Sequence, residues 1–261
     1  MNTLSIDIGN SKIKLDYWAN EGILFRTEYD FFPFDEIKKS VEDLSVSGII
    51  VSSVRKDNEE IIHKLKDKSG CHLIVDFNQE EIRKYYKERI RYSGNIGPDR
   101  VGAFLGAEII KSLTSKLIVD AGTALTLDIS DKEGNYIGGN ISLGLYSRMK
   151  ALAMSTEKLP QISDIDYPHP FGEDTATAIT AGAKNGVIGE VLYTIGEALK
   201  VYNIEWVIVT GGDYKYFSSN IRQEFKNCFY DEYLVGRGLN WHLRKIYFPE
   251  VFMQTKFFPS I

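Results

Sequence analysis

The feature that most constrains this chain is an Asp-x-Gly turn that occurs twice in the same setting. Leu4-Ser5-Ile6 and Lys12-Ile13-Lys14-Leu15 show strand-like alternation around Asp7-Ile8-Gly9-Asn10-Ser11, and a turn at Asn20-Glu21-Gly22 leads into a third strand from Ile23 to Tyr29. The same order returns at Leu117-Ile118-Val119, Asp120-Ala121-Gly122-Thr123-Ala124, a strand from Leu125 to Ile129, a turn at Glu133-Gly134-Asn135 and a strand from Tyr136. A repeat of this length is too long for a solenoid unit and predicts a duplicated domain. The expected division is residues 1–115 and 116–261, with the boundary at Lys111 to Lys116.

Between the two openings, helical patterns at Phe34 to Leu44, Asn58 to Lys68, Glu80 to Lys87 and Pro98 to Leu113 alternate with strands at Gly48 to Val51 and His72 to Val75. That mixture predicts an α/β fold. The second half adds a helix from Leu145 to Met154, a Pro-, Asp- and Ser-rich loop from Ser155 to Pro170, and a long helix from about Asp174 to Tyr202. An apolar strand, Trp206 to Val209, precedes a helix from Gly236 to Tyr247 and an aromatic tail to Ile261.

A glycine between two strands lets the backbone turn tightly, so that its amides can face phosphate oxygens, and the Ser11 hydroxyl adds a donor. One such turn is ordinary loop chemistry. Two at equivalent places suit a nucleotide with its phosphates held from both sides, with Asp7 placed to hold a cation through water. Lys12 and Lys14 follow the first turn and are candidates for local positive charge. Local charge matters because the chain's formal net charge is −5, which argues against nucleic acid or an anionic membrane as partner. Gly211-Gly212, directly after the apolar strand, would let a base or ribose approach the backbone closely. No Gly-x-x-x-x-Gly-Lys-[Ser/Thr] loop, dinucleotide fingerprint or His-Glu-x-x-His occurs.

Gly97-Pro98-Asp99-Arg100 marks a helix start, with Pro98 at its first position and Asp99 in the first turn. Near Tyr92 and Asn95, Asp99 is a candidate base for a substrate hydroxyl, and the planar fork of Arg100 suits a carboxylate. The four histidines, at positions 63, 72, 169 and 242, have no triad or ligand spacing and are read as core or surface residues. Cys71 and Cys228 are read as buried free thiols, which predicts a reducing compartment. The start of the chain has no signal-like pattern and no run is long enough for a membrane span, so a cytoplasmic protein is expected.

Five segments together resemble the type III pantothenate kinases of the acetate and sugar kinase, Hsp70 and actin superfamily. They are Asp7-Ile8-Gly9-Asn10-Ser11, Gly97-Pro98-Asp99-Arg100, Asp120-Ala121-Gly122-Thr123-Ala124, Gly138-Gly139-Asn140-Ile141-Ser142-Leu143-Gly144 and Thr210-Gly211-Gly212. The resemblance implies two ribonuclease-H-like halves with the phosphate turns in a cleft between them. It implies ATP-dependent phosphorylation of pantothenate towards coenzyme A, with Mg²⁺ and a monovalent cation such as K⁺ or NH₄⁺. By the same resemblance Asp99 is the catalytic base, and Asp7, Ile8, Gly9, Asn10, Ser11, Lys12, Ile13, Lys14 and Thr123 bind ATP. Asp120 holds the monovalent cation, and Tyr92 with Gly97, Pro98, Asp99 and Arg100 binds pantothenate. Thr175 resembles a threonine that a neighbouring subunit contributes, which implies a homodimer. Ser11 stands where Thr is usual, Leu143 where Pro is usual and Asp174 where Asn is common. The alternatives are another small-acid or sugar kinase of the superfamily and an ATP-dependent switch or regulatory protein without a catalytic base.

Overall fold

The computed structural model describes residues 1–20 and 22–252; Glu21 of the expected hairpin turn and the aromatic tail from residue 253 lie outside them. The chain forms two compact units, Met1–Ser112 with the described part of Tyr233–Ile261, and Leu113–Glu232. In the first, β1 (Asn2–Ile8), β2 (Ile13–Ala19), β3 (Gly22–Tyr29), α1 (Phe34–Asp43), β4 (Val46–Ser53), α2 (Asn58–Lys68), β5 (Ile74–Asp76), α3 (Gln79–Tyr86) and α4 (Pro98–Ile110) follow in order. In the second, β6 (Lys116–Ala121), β7 (Ala124–Ser130), β8 (Tyr136–Leu143), α5 (Leu145–Ser155), α6 (Thr175–Tyr202), β9 (Trp206–Thr210), a 3-10 turn over Gly212–Tyr216, α7 (Ser218–Glu224) and β10 (Cys228–Tyr230) do so. The described chain closes with α8 (Leu234–Tyr247) and α9 (Pro249–Phe252).

The two sheets run β3-β2-β1-β4-β5 and β10-β9-β6-β7-β8. In each, the first three strands are antiparallel and the last two join in parallel. Strands β6 to β10 therefore repeat β1 to β5 one for one, and the duplicated α/β architecture is present in both sheets. The parallel strands require crossover helices, which is why α1, α2, α6 and α7 interrupt the strands where they do.

The second unit buries its core between β6, β7 and β9 and the apolar sides of α5 and α6, with Leu117, Val119, Leu125, Leu127, Met149, Val191 and Val209 at its centre. In the first unit Leu4, Ile6 and Ile8 of β1 pack with Ile37, Val41, Ile49 and Leu65 on one face of the sheet. The opposite face carries polar side chains, yet Thr3, Ser5 and Asp16 are each only 1% exposed. Helix α8 covers them. Thr3 Oγ1 donates to Asn240 Oδ1 at 2.6 Å, and the Arg244 guanidinium donates to Thr3 Oγ1 and to the Met1 and Ala19 carbonyls. Asp16 receives two bonds from Arg26, at 2.6 and 2.7 Å.

This covering corrects the expected domain limits. The first boundary falls at Ser112/Leu113, close to the expected position, but the second unit ends at Glu232 and the chain returns to the first. Helix α8 belongs there because it lies backbone to backbone on α4. A Cβ on Gly238 would stand 1.9 Å from the Gly102 carbonyl oxygen, and one on Gly106 would stand 2.2 Å from that of Leu234. With Val101, Ala103, Phe104, Leu105 and Ala107 also buried, α4 is a fixed mount for whatever its first turn carries.

Of the four histidines read as core or surface residues, His242 is a core residue, bonded at both ring nitrogens. It is fully buried, with Nε2 2.9 Å from Glu81 Oε1 and Nδ1 2.7 Å from the Tyr86 hydroxyl. A carboxylate only accepts, so Nε2 carries the proton and Nδ1 accepts from Tyr86. Tyr247 also donates to Glu81 Oε1, at 2.6 Å. The network ties α3 to α8 and is satisfied with a neutral ring. Burial pushes the His242 pKa down, helped by Lys245 and Lys84 and opposed by Glu81. Cys71 and Cys228 are free thiols, the first buried and the second half-buried, and burial pushes both pKa values up.

Because the folded pKa of His242 lies below its unfolded value, the unfolded chain binds the extra proton and stability falls as pH drops below about 6.5. The slope contributed by this residue has a ceiling of about 1.4 kcal/mol per pH unit. Urea unfolding midpoints measured from pH 7.5 to 5 should fall more steeply for the natural chain than for His242→Gln; parallel curves would show that His242 titrates alike in both states.

Candidate functional site

In the first unit the turn between β1 and β2 opens after the last ladder pair, Ile8 with Ile13. The Gly9 amide donates to the Lys12 carbonyl at 3.0 Å and closes the loop. Asp7 is the penultimate residue of β1, opposite Lys14 in the ladder. The Lys12 ammonium is engaged by Asp30 at 2.7 Å in an exposed pair, and Asp30 raises its pKa. A different cation reaches the turn: Arg55, beyond the end of β4, donates from Nε to the Gly9 carbonyl at 2.7 Å. Nothing local in the sequence marks Arg55, because the contact depends on the parallel pairing of β1 with β4.

The segment before α4 is anchored from α3. Gln79 Nε2 donates to the Ile96 carbonyl, and Arg83 Nη2 donates to Asn95 Oδ1 at 2.6 Å. Helix α3 is itself capped by Asn78, whose side chain accepts the Glu80 and Glu81 amides. Gly97 is the N-cap of α4 and Pro98 its first residue, as expected from their order. The half-buried Asp99 carboxylate folds back on the helix start and accepts the Arg100 amide at 2.8 Å. A Cβ on Gly97 would lie 2.4 Å from Asp99 Oδ1, so glycine leaves room for that carboxylate. Arg100 is 6% exposed, and its guanidinium carbon lies 5.8 Å from the centre of the Tyr92 ring. Tyr92, Gly97, Pro98, Asp99 and Arg100 thus form one local group: an aromatic face, a fixed guanidinium and a carboxylate at a helix N-terminus.

In the second unit the turn between β6 and β7 is one residue shorter. Gly122 donates to the Ala124 carbonyl at 3.0 Å, and the ladder resumes at Leu125 opposite Ala121. Its carbonyl side is braced by α5: the Gly144 amide and the Ser147 hydroxyl both donate to the Thr123 carbonyl, at 3.1 and 2.6 Å. Any side chain at Gly144 is excluded, since a Cβ would stand 1.8 Å from the Gly122 carbonyl oxygen. Asp120 is half-buried at the end of β6, paired in register with Thr210 of β9.

Gly211 has φ of 92° and a Cβ there would stand 2.2 Å from the Ala121 carbonyl oxygen, so Gly211-Gly212 lies directly against the second turn. Asp213 follows, nine-tenths buried, and burial pushes it up to about 6 against the Leu145 amide it accepts and nearby Lys215. In sequence Asp213 has no recognisable role, since it only follows Gly211-Gly212. Thr175 is exposed in the first turn of α6, beside the N-cap Asp174. The Asp174 carboxylate accepts the Thr177 amide at 2.8 Å in a reciprocal cap, a task that Asn performs as well.

The sequence-expected residues are therefore gathered in three places: 7–14, 92–100, and 120–123 with 211–212. Thr175 belongs to a separate segment, the capping turn of α6. Among the described residues no helix is long and apolar enough to cross a membrane, and no group of three or more His, Cys, Asp or Glu has metal-holding geometry.

Comparison with known proteins places this arrangement. Among solved structures, a Baf family transcriptional activator from Campylobacter jejuni superposes with a TM-score of 0.58 at 20% identity, covering 93% of this chain and 98% of its own. A ROK family glucokinase from Streptomyces griseus superposes with a TM-score of 0.52 at 13% identity, over 92% and 97% of the two chains. These likenesses establish the fold, the actin-like ATPase plan of two ribonuclease-H-like units. The type III pantothenate kinase of Azobacteroides pseudotrichonymphae is 39% identical over 268 aligned residues, covering 98% of both chains. That of Phocaeicola vulgatus is 32% identical over 91% of this chain and 96% of its own. The family model described as type III pantothenate kinase matches residues 3–197, and with that span and those relatives the chain belongs to the type III pantothenate kinase family.

Proposed function

We propose that this protein catalyses ATP-dependent phosphorylation of pantothenate to 4′-phosphopantothenate, the first step of coenzyme A biosynthesis. The observation that carries the residue assignment is the Asp99–Arg100 pair on the first turn of α4, beside Tyr92. The Arg100 fork binds the pantothenate carboxylate, and Tyr92 with Gly97 and Pro98 shapes its surroundings. The substrate hydroxyl attacks the γ-phosphorus, the bond from that phosphorus to the ADP oxygen breaks, and Asp99 accepts the hydroxyl proton. Phosphoryl transfer depends mainly on alignment and charge neutralisation, which favours a base mounted on a buried helix.

The ATP-binding residues are those of the segment Asp7 to Lys14, with Thr123, Gly211 and Gly212. A single carboxylate at the first turn fits Mg²⁺, which typically binds through one or two carboxylates, water and substrate phosphates. Asp7 would hold it through water, and the ion supplies neutralisation of phosphate charge. Asp120 would hold a monovalent cation, K⁺ or NH₄⁺. Thr175 completes the pantothenate site of the partner in a homodimer, a role its exposure at the start of α6 permits.

ADP release from ATP should depend on added pantothenate, and Asp99→Asn should lower kcat by about 10²- to 10⁴-fold while leaving ATP affinity in place. A variant with most of its activity would remove Asp99 from the role of base. Exchanging K⁺ for Na⁺ should slow the natural enzyme, and Asp120→Ala should be slow in both salts; equal K⁺ activation of the two proteins would refute the Asp120 assignment. Thr175→Ala should raise the KM for pantothenate severalfold without changing that for ATP, and sedimentation should give twice the chain mass. A fully active monomer would end the shared-site assignment.

A further inference from the structure

The cation that holds the carbonyls of the first turn is Arg55. Its backbone is fixed at the end of β4: Ile8 and Ser53 are partners in the parallel ladder, the Val54 amide donates to the Ile8 carbonyl at 3.2 Å, and the Arg55 amide donates to Ser53 Oγ at 3.1 Å. From there the guanidinium reaches two consecutive carbonyls of the turn, Gly9 at 2.7 Å from Nε and Asn10 at 3.5 Å from Nη2. The first of these is a well-formed hydrogen bond and the second lies at its outer limit.

A trans peptide is planar, with its C=O and N–H pointing in opposite directions. Holding the Gly9 carbonyl therefore aims the Asn10 amide away from Arg55, and holding the Asn10 carbonyl does the same for Ser11. The remaining glycine amide, Gly9, is used inside the turn by the Lys12 carbonyl. Successive backbone amides facing one way are the backbone's anion-binding device, and here the two peptides are held by one side chain from the end of a different strand. The second unit braces its own turn on the same side, through the Gly144 and Ser147 bonds to the Thr123 carbonyl. Equivalent turns built on unrelated braces indicate that the brace itself is needed.

We propose that Arg55 is a positioning residue for ATP, holding the carbonyl side of the Gly9–Asn10–Ser11 turn so that the Asn10 and Ser11 amides present to phosphate oxygens. The inference rests on the reading of that turn as an ATP-phosphate site. The Arg55 guanidinium stands on the opposite side of the peptide planes from the amides it orients, so it acts through the turn, and its charge adds favourable potential in a chain of net charge −5.

Titration calorimetry with ATP and with adenosine, on the natural chain, Arg55→Ala and Arg55→Lys, tests this together with amide NMR of Asn10 and Ser11. ATP affinity should fall about tenfold in Arg55→Ala while adenosine affinity, the KM for pantothenate and the thermal midpoint stay near their natural values. Arg55→Lys should recover only part of the loss, since an ammonium cannot reproduce the fork across two carbonyls. Unchanged ATP affinity in Arg55→Ala, or full recovery with Lys, overturns the inference, and so does an equal loss of adenosine affinity. The NMR arm separates the two levels. If ATP fails to move the Asn10 and Ser11 resonances of the natural chain, the phosphate-turn reading falls. If it moves them equally in the natural chain and Arg55→Ala, only the role of Arg55 falls.

Discussion

The first unit depends on the covering of β1 and β2 by α8. Strand β1 alternates apolar with polar residues, and its polar side holds Thr3, Ser5 and, across the ladder, Asp16, all buried. Such a face would cost about 1–3 kcal/mol per unsatisfied group if it were covered by hydrocarbon alone. Helix α8 meets it with matching groups. Asn240 and Arg244 bond Thr3, and Gly236 leaves space where a Cβ would stand 1.8 Å from Asp16 Oδ2, while within the sheet Trp18 Nε1 of β2 donates to Ser5 Oγ at 2.8 Å. The geometry leaves little freedom for α8, because its other side is locked by glycine contacts onto α4. Fixing α8 therefore fixes α4, and with it the direction in which Asp99 and Arg100 emerge.

The same covering shows where sequence reasoning stopped. Local elements were legible: the strands around both Asp-x-Gly turns, the helix starting at Pro98 and the long helix after Asp174 all lie within a few residues of their expected limits. The duplication was legible because identical strand order carries identical turn chemistry. The destination of α8 was not. Alternation in β1 predicts a polar face towards water, and Asn240 and Arg244, side chains more than two hundred residues away, cover its Thr3 end as an interior. Near the candidate site the same limit applies. Asp99 and Arg100 announce themselves by position on a helix, whereas Gln79, Arg83 and Arg55 act through carbonyls or amide groups far away in sequence. The smaller elements after Gly211, a 3-10 turn and α7, lack the length that makes periodicity readable.

His242 illustrates a further difference between composition and environment. In sequence it is an isolated histidine with no ligand spacing. In the fold it is one of the links by which α8 holds α3, and α3 in turn holds the Asn95-Ile96 segment before Asp99. Its tautomer is dictated by a carboxylate on one side and a phenol on the other. The ring is neutral, so the histidine adds no second buried charge with a desolvation cost of its own.

For an acidic chain, recognition of a polyphosphate of the kind proposed above poses an electrostatic problem that Lys12 alone does not solve, since its ammonium is shared with Asp30. The alternative is to use peptide dipoles, whose charge is internal to the backbone and whose only requirement is orientation. In both turns a carbonyl is held on one side, in one unit by a helix N-terminus and a hydroxyl, in the other by a guanidinium, which under the proposed function would orient the peptides for phosphate. Orientation secured before the ligand arrives spares part of the ordering cost of binding. A turn defined only by Asp-x-Gly would be free to rotate its peptides; one whose carbonyls are held is not. The information that distinguishes the two lies in β4 and α5, outside the motif that first draws attention to the turns.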